Sequence, residues 1–167
     1  MRVFRIAWVL AAFLALGCAS QLQTVERTQV GPKAQELFLV RSYLTVGREP
    51  NFDERRLWQD QIDERVTRYL REHPELEQAS RYSEFRFWRQ VMIGSTRAEV
   101  RTLLEAPDEE TIDPALMGAL AARHWPAMEK RAAEAWLYPP SWVIFFDGEG
   151  AVVDLVRRVG RLDPATD

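Results

Sequence analysis

The chain has 167 residues, 47% of them hydrophobic and 28% charged, with a formal net charge of −3 at pH 7. This balance is that of a globular protein rather than a disordered one, and an acidic chain lacks the clustered positive charge on which nucleic-acid binding rests. A single cysteine, Cys18, excludes an internal disulfide and a cysteine-rich metal site.

The chain opens like a secretory leader. Arg2 and Arg5 form a positive start, and Ile6 to Leu16 is an uncharged apolar run of 11 residues, too short for an ordinary transmembrane helix of about 20 residues. The run ends in Leu14-Ala15-Leu16-Gly17-Cys18, which resembles a bacterial lipobox. The resemblance implies removal of residues 1–17 and a diacylglyceryl group on the Cys18 sulfur, with the membrane as partner through that lipid. Ala19 follows, a residue compatible with transport to the outer membrane of a Gram-negative cell.

Residues 18–32 are expected to be the lipidated cysteine and a polar tether, closed by Gly31-Pro32. A helical region is expected over 33–90. Its first helix spans Lys33 to Thr45, with Leu37, Phe38, Val40 and Leu44 roughly on one side, and Gly47 and Pro50 end it. A second helix spans Asp53 to Glu72, where Trp58, Ile62, Val66 and Tyr69 recur on one face and His73-Pro74 stops the run. A third helical segment is expected from Glu75 to Gln90, carrying Tyr82, Phe85, Phe87 and Trp88.

From 91 to 160 the pattern predicts an α+β domain. Val91 to Gly94 is a short extended approach. Thr96-Arg97-Ala98-Glu99 fits a capping box, and Val100, Leu103 and Leu104 give the helix behind it an apolar stripe that Pro107 terminates. Asp113-Pro114 and Trp125-Pro126 each read as a helix start with proline at the first position. Three strands follow, Ala135–Tyr138, Trp142–Phe146 and Ala151–Val156, the last two joined by an Asp147-Gly148-Glu149-Gly150 turn. A sheet of two or three strands needs a helix to cover it, and the 96–105 helix is the expected cover. The fold class is therefore α+β: N-terminal helices, then a helix packed on a small antiparallel sheet.

Chemical signatures are sparse. No nucleophile elbow, phosphate loop, dinucleotide glycine pattern or zinc-protease motif is present, which predicts a protein that is not an enzyme and carries no cofactor or metal. His73 and His124 are isolated and read as structural. Trp58, Trp88, Trp136 and Trp142 fall on patterned elements and are expected in the core. Trp and Tyr are also the residues of binding hot spots, so Trp125, Trp136 and Tyr138 form the candidate partner surface, or the lining of a cleft.

Residues 91–157 resemble the BamE (SmpA/OmlA) family of small outer-membrane lipoproteins. The resemblance rests on Ile93-Gly94-Ser95-Thr96-Arg97-Ala98-Glu99-Val100 through Leu103-Leu104-Glu105-Ala106-Pro107, on Trp136-Leu137-Tyr138, and on Val143 to Asp147 with Gly150-Ala151-Val152. Ser95 stands where the family has Met, and Glu105-Ala106 where it prefers Gly. The resemblance implies helices on a three-stranded antiparallel sheet, a lipid anchor at Cys18, and a non-catalytic scaffold or accessory role in envelope or outer-membrane protein assembly. That places the chain at the periplasmic face of the outer membrane, with a protein partner in the envelope. The alternative from a different class is a small-ligand-binding or enzyme-inhibitor module of the cell envelope.

Overall fold

The structure, a computed structural model, describes residues 24–159. The leader, Cys18 and the first part of the expected tether lie outside the described residues. Among the described residues, seven strands and four α-helices follow one another as β1 (Thr24–Thr28), β2 (Val30–Lys33), α1 (Ala34–Val46), α2 (Phe52–Glu72), β3 (Gln90–Met92), α3 (Arg97–Leu104), β4 (Glu109–Thr111), α4 (Pro114–Ala121), β5 (Glu134–Tyr138), β6 (Trp142–Phe146) and β7 (Val152–Val159). Short 3-10 helices cover Pro74–Gln78 and Ala122–Ala127, and a π-helical turn covers Glu84–Trp88. The fold is α+β, as the sequence predicts.

The main sheet is antiparallel with the order β1-β7-β6-β5-β4, and β2 and β3 form a separate two-stranded ribbon. Central strand β6 reads Trp-Val-Ile-Phe-Phe and all five residues are buried. A continuous apolar run without alternation is what a strand covered on both faces looks like. One face carries Trp136, Tyr138, Trp142, Ile144, Phe146 and Leu155, packed on Leu37 of α1, Ile62 and Val66 of α2, and Val100, Leu103 and Leu104 of α3. The other face carries Val25, Ala135, Val143, Phe145 and Val156, packed on Met117, Leu120 and Ala121 of α4 and on Met128. Residues 108–134 thus do two things the sequence reading missed. They add edge strand β4 and they cover the second face of the sheet.

The tether expectation is corrected over residues 24–32. Thr24 to Thr28 pair with Val159 to Leu155, so this segment is an edge strand of the sheet. Its polarity has a structural cause. Val25 and Arg27 share one face by the two-residue period of a strand. Val25 enters the core, while Arg27 Nε and Nη2 donate to the carboxylate of Asp154, which is 1% exposed, at 2.6–3.0 Å. Glu26 faces away and is exposed. Gly31, expected to close a linker, lies in β2, where an added Cβ would come within 3.0 Å of Val91 Cβ.

Helices α1 and α2 match their expected positions within one residue. Helix α1 ends on Gly47 in the left-handed region (φ 73°). Its Leu44 is exposed rather than packed; the contact between α1 and α2 is the stack of Phe38 on Trp58, with ring centroids 4.7 Å apart. Helix α2 starts at Asn51, whose side chain accepts from the Glu54 amide while the Glu54 carboxylate accepts from the Asn51 amide. The capping box expected at Thr96 is half formed. Thr96 Oγ1 accepts from the Glu99 amide at 3.2 Å, but the Glu99 carboxylate turns inward, 1% exposed, to take both nitrogens of a fork from Arg81 at 2.7 and 2.8 Å. Helix α3 is further fixed to the sheet by Arg97 donating to Glu134, which in turn accepts from Trp136 Nε1. The helix expected to start at Trp125-Pro126 is instead a 3-10 helix that already begins at Ala122, with Pro126 inside it.

Candidate functional site

The three aromatics expected to share a partner surface are placed apart. Trp136 (1% exposed) and Tyr138 (2%) are buried on the sheet face covered by α1–α3. Trp136 lies under the Arg101 guanidinium, 4.7 Å from its ring centroid. Tyr138 donates its hydroxyl to the Glu105 carbonyl at 3.0 Å, and burial pushes its phenol well above the ordinary value. Trp125 lies on the opposite face of the sheet, against Phe145 and across the position of Gly118. Trp136 and Tyr138 share one face of β5 by the two-residue period of a strand, whereas Trp125 belongs to the 3-10 helix Ala122–Ala127 that packs on the other face. They do not form one surface.

The exposed aromatic surface lies elsewhere, on a segment expected to be an ordinary helix. Residues Glu84–Trp88 form a π-helical turn closed by the Arg89 amide on the Glu84 carbonyl, with Arg89 in the left-handed region (φ 49°). Phe85 is pinned into the core, 2% exposed and 5.4 Å from the Tyr69 ring. The wider turn then rotates Phe87 and Trp88 outward, to 65% and 62% exposure. The expectation that Trp88 lies in the core is corrected here. An α-helix would have carried these aromatics on with a 3.6-residue period, whereas a π-turn inserts an extra residue and shifts the face.

Two cations sit on this surface. Arg86 lies over both the Tyr82 and Phe87 rings, at 5.6 and 5.4 Å, and Lys33 lies over Trp88 at 5.5 Å. Tyr82 and Phe87 meet edge to face. Neither Lys33 nor Arg86 has an acidic partner among the described residues. Arg89, by contrast, is tied down to Asp63. The sequence signal for this surface was the aromatic density of Tyr82 to Trp88; only the backbone shows which of those rings face out.

A second feature is an open cleft of about 720 Å³ at one end of the main sheet. Leu137, Tyr138, Pro139, Pro140, Trp142 and Arg157 are among its lining residues. Of the three predicted aromatics only Tyr138 reaches it. A third is the α1–α2 turn, where Tyr43, Leu44, Val46, Phe52 and Leu57 are each at least 60% exposed.

Other polar side chains that could carry chemistry are occupied structurally. Ser95 is buried and its Oγ accepts from the Met92 amide at 3.1 Å. His124 Nε2 is 3.0 Å from the Val25 carbonyl, and His73 Nδ1 is 3.1 Å from Glu75. The Asp147 carboxylate accepts from the Glu149 and Ala151 amides, which holds the β6–β7 turn and keeps the group below its ordinary range, the Ala151 bond being the larger cause. Among the described residues no group of three or more His, Cys, Asp or Glu is arranged to hold a metal ion, and no helix is long and apolar enough to cross a membrane.

Comparison with family models, with curated proteins and with solved structures returned no match.

Proposed function

We propose that this chain is a non-catalytic accessory protein of the bacterial envelope, held on the periplasmic side of the outer membrane by lipid on Cys18. It binds a protein partner through the Tyr82–Trp88 surface. The observation that carries the binding role is the π-helical turn, which holds Phe87 and Trp88 in solvent with cations stacked on the surface. Exposed Trp, Tyr and Arg are the residue types that dominate interface energetics, and π-turns concentrate at functional positions. The resemblance of residues 91–157 to the BamE (SmpA/OmlA) family supports outer-membrane protein assembly as the process served. A ligand-binding or inhibitor module would be favoured by a pocket joining Trp125, Trp136 and Tyr138, and these residues lie on opposite faces of the sheet.

The test is in-cell crosslinking of a C-terminally tagged chain followed by mass spectrometry. Recovery of the β-barrel insertion machinery supports the assembly role, and recovery of a different envelope complex moves the scaffold to another pathway. The double variant Phe87→Ala, Trp88→Ala should lose the partner at unchanged melting temperature, since both rings are exposed. Undiminished recovery with that variant would remove this surface from the reading, and a tagged wild-type chain that comes down alone would remove the reading itself. Cys18→Ser should release the protein from the membrane fraction or leave an uncleaved precursor, since each buried methylene of a lipid adds about 0.8 kcal/mol to membrane anchorage.

A further inference from the structure

We infer that the end of the main sheet carrying the Pro139–Pro140 cleft is the bilayer-facing end of this protein, and that the cleft opens onto the lipid surface. The inference rests on the proposed lipid anchor at Cys18 and on the position at which the chain enters the sheet. Thr24 pairs with Val159, Arg157 pairs with Trp142, and Tyr138 also pairs with Trp142. The Arg158 amide donates to the Ser141 carbonyl, and the Asp108 amide to the Leu137 carbonyl. The first residue of β1, the last of β7, the β5–β6 turn and the start of β4 are therefore all at one end. They surround the cleft, whose lining runs from Asp108 and Glu109 through Pro139 and Pro140 to Val159.

The length of the connecting chain limits how the molecule can stand. Six residue steps separate Cys18 from Thr24, and at full extension they reach about 20 Å. Strand β7 has eight residues, so the sheet is about 25 Å long. With the opposite end of the sheet resting on the bilayer, Thr24 would stand about 25 Å away, beyond the reach of the tether. The upright orientation that rests the Asp147–Gly150 turn on the lipid and holds Thr24 away from it is thereby excluded. The cleft end suits a headgroup region: Pro139, Pro140, Leu137 and Val159 supply apolar surface, and Arg157, exposed and 5.5 Å over Trp142, supplies a cation–aromatic pair of the kind found at membrane interfaces.

The experiment uses the full-length lipidated protein reconstituted in phosphatidylcholine vesicles, with a benzophenone-bearing residue in place of Val159 or of Glu149, both exposed. The expected result is lipid adducts from position 159 and none above background from position 149. Equal adducts from the two positions, or a preference for 149, would overturn the inference. Lengthening the tether by about 20 flexible residues between 23 and 24 raises its root-mean-square span to nearly 30 Å and should abolish the difference between the two positions. A preference for 159 that survives the insertion would overturn the short tether as its cause. Adducts to a protein rather than lipid at 159 in cells would assign the cleft to a partner and also overturn it. The intact mass of the purified chain tests the premise separately: an unmodified Cys18 sinks the anchor, whereas a lipidated chain with the wrong adduct pattern sinks only the orientation.

Discussion

Glu105 shows how a single residue can sit against its own backbone preference. It has φ 66° and ψ −157°, a region that glycine occupies freely and other residues do not. This is one of the two positions at which the resemblance to the outer-membrane family expects glycine. The strain costs about 1–3 kcal/mol. Against it stand ion pairs from the Glu105 carboxylate to Arg65 at 2.5 Å and Arg41 at 3.8 Å, and that carboxylate is 58% exposed, so each contributes about 0–1 kcal/mol. Glu105→Gly should therefore keep or raise the melting temperature. Glu105→Ala, which keeps the strain and loses the ion pairs, should lower it. A glycine variant less stable than the alanine variant in thermal unfolding would refute the strain account. Glu99 raises a different matter. As the second half of an expected capping box it belonged at the surface. A carboxylate buried at 1% exposure needs a strong partner, and Arg81, 18 positions upstream, supplies a two-nitrogen fork. No local spacing rule reaches across that separation.

Among the elements, helices α1 to α4 and the hairpin strands β5 to β7 were legible in the sequence, and the edge strands β1 and β4, set by pairing with distant residues, were not. Helix α2 is the clearest case: its apolar face and its stop at His73-Pro74 were both readable, its start was placed one residue late, at Asp53 rather than Phe52, and its cap, Asn51, was not singled out. The cap has a measurable consequence. The Arg48 guanidinium, and after it the Asn51 amide, hold the Glu54 carboxyl down to about 2, against an ordinary 4.5. A group with a depressed folded value stabilises the fold above its unfolded pKa, and that contribution disappears as the pH falls from about 4.5 through about 2. Carboxyl NMR of Glu54 should titrate in that low range, and Arg48→Ala should move it upward. A midpoint near 4.5 in the wild-type chain would dissolve the pairing. The polar segment 24–32 and strand β4 went unread for one shared reason: edge strands take their character from distant partners, so their own composition resembles linker. The helix expected from Asp113-Pro114 is present as α4, but its place over the second face of the sheet depends on contacts that no local pattern shows. Asp154, set in the apolar run Val152-Val153-Asp154-Leu155-Val156, was the visible sign that a cation from elsewhere in the chain had to reach that strand. The candidate surface was legible only in part, because the helical period of Glu75–Gln90 gives no hint of a π-turn.

At the scale of the whole molecule, β1 ties the N-terminal approach to both the sheet edge and the second core. Arg27, with a side chain 36% exposed, neutralises Asp154, whose one further cation among the described residues is Arg131 at 3.5 Å. Truncating one partner of a buried pair costs up to about 3–5 kcal/mol, and the exposure of Arg27 reduces this to about 2–3 kcal/mol. Arg27→Ala should lower the unfolding free energy by that amount in denaturant titration, out of a total of about 5–15 kcal/mol for a domain. Deleting residues 24–28 should go further, exposing the β7 edge and producing concentration-dependent association in light scattering. A truncated chain that stays monomeric with an unchanged midpoint would show that β1 is dispensable. The position of β1 also decides how the molecule bears load. In a chain anchored at Cys18, a pull between the membrane and a partner docked on the helical side enters at Thr24 along the strand axis. The backbone bonds between β1 and β7 then resist in shear, all at once, rather than peeling open one by one, so under the proposed anchoring the strand that looks like a linker would be a mechanical clamp between membrane and partner.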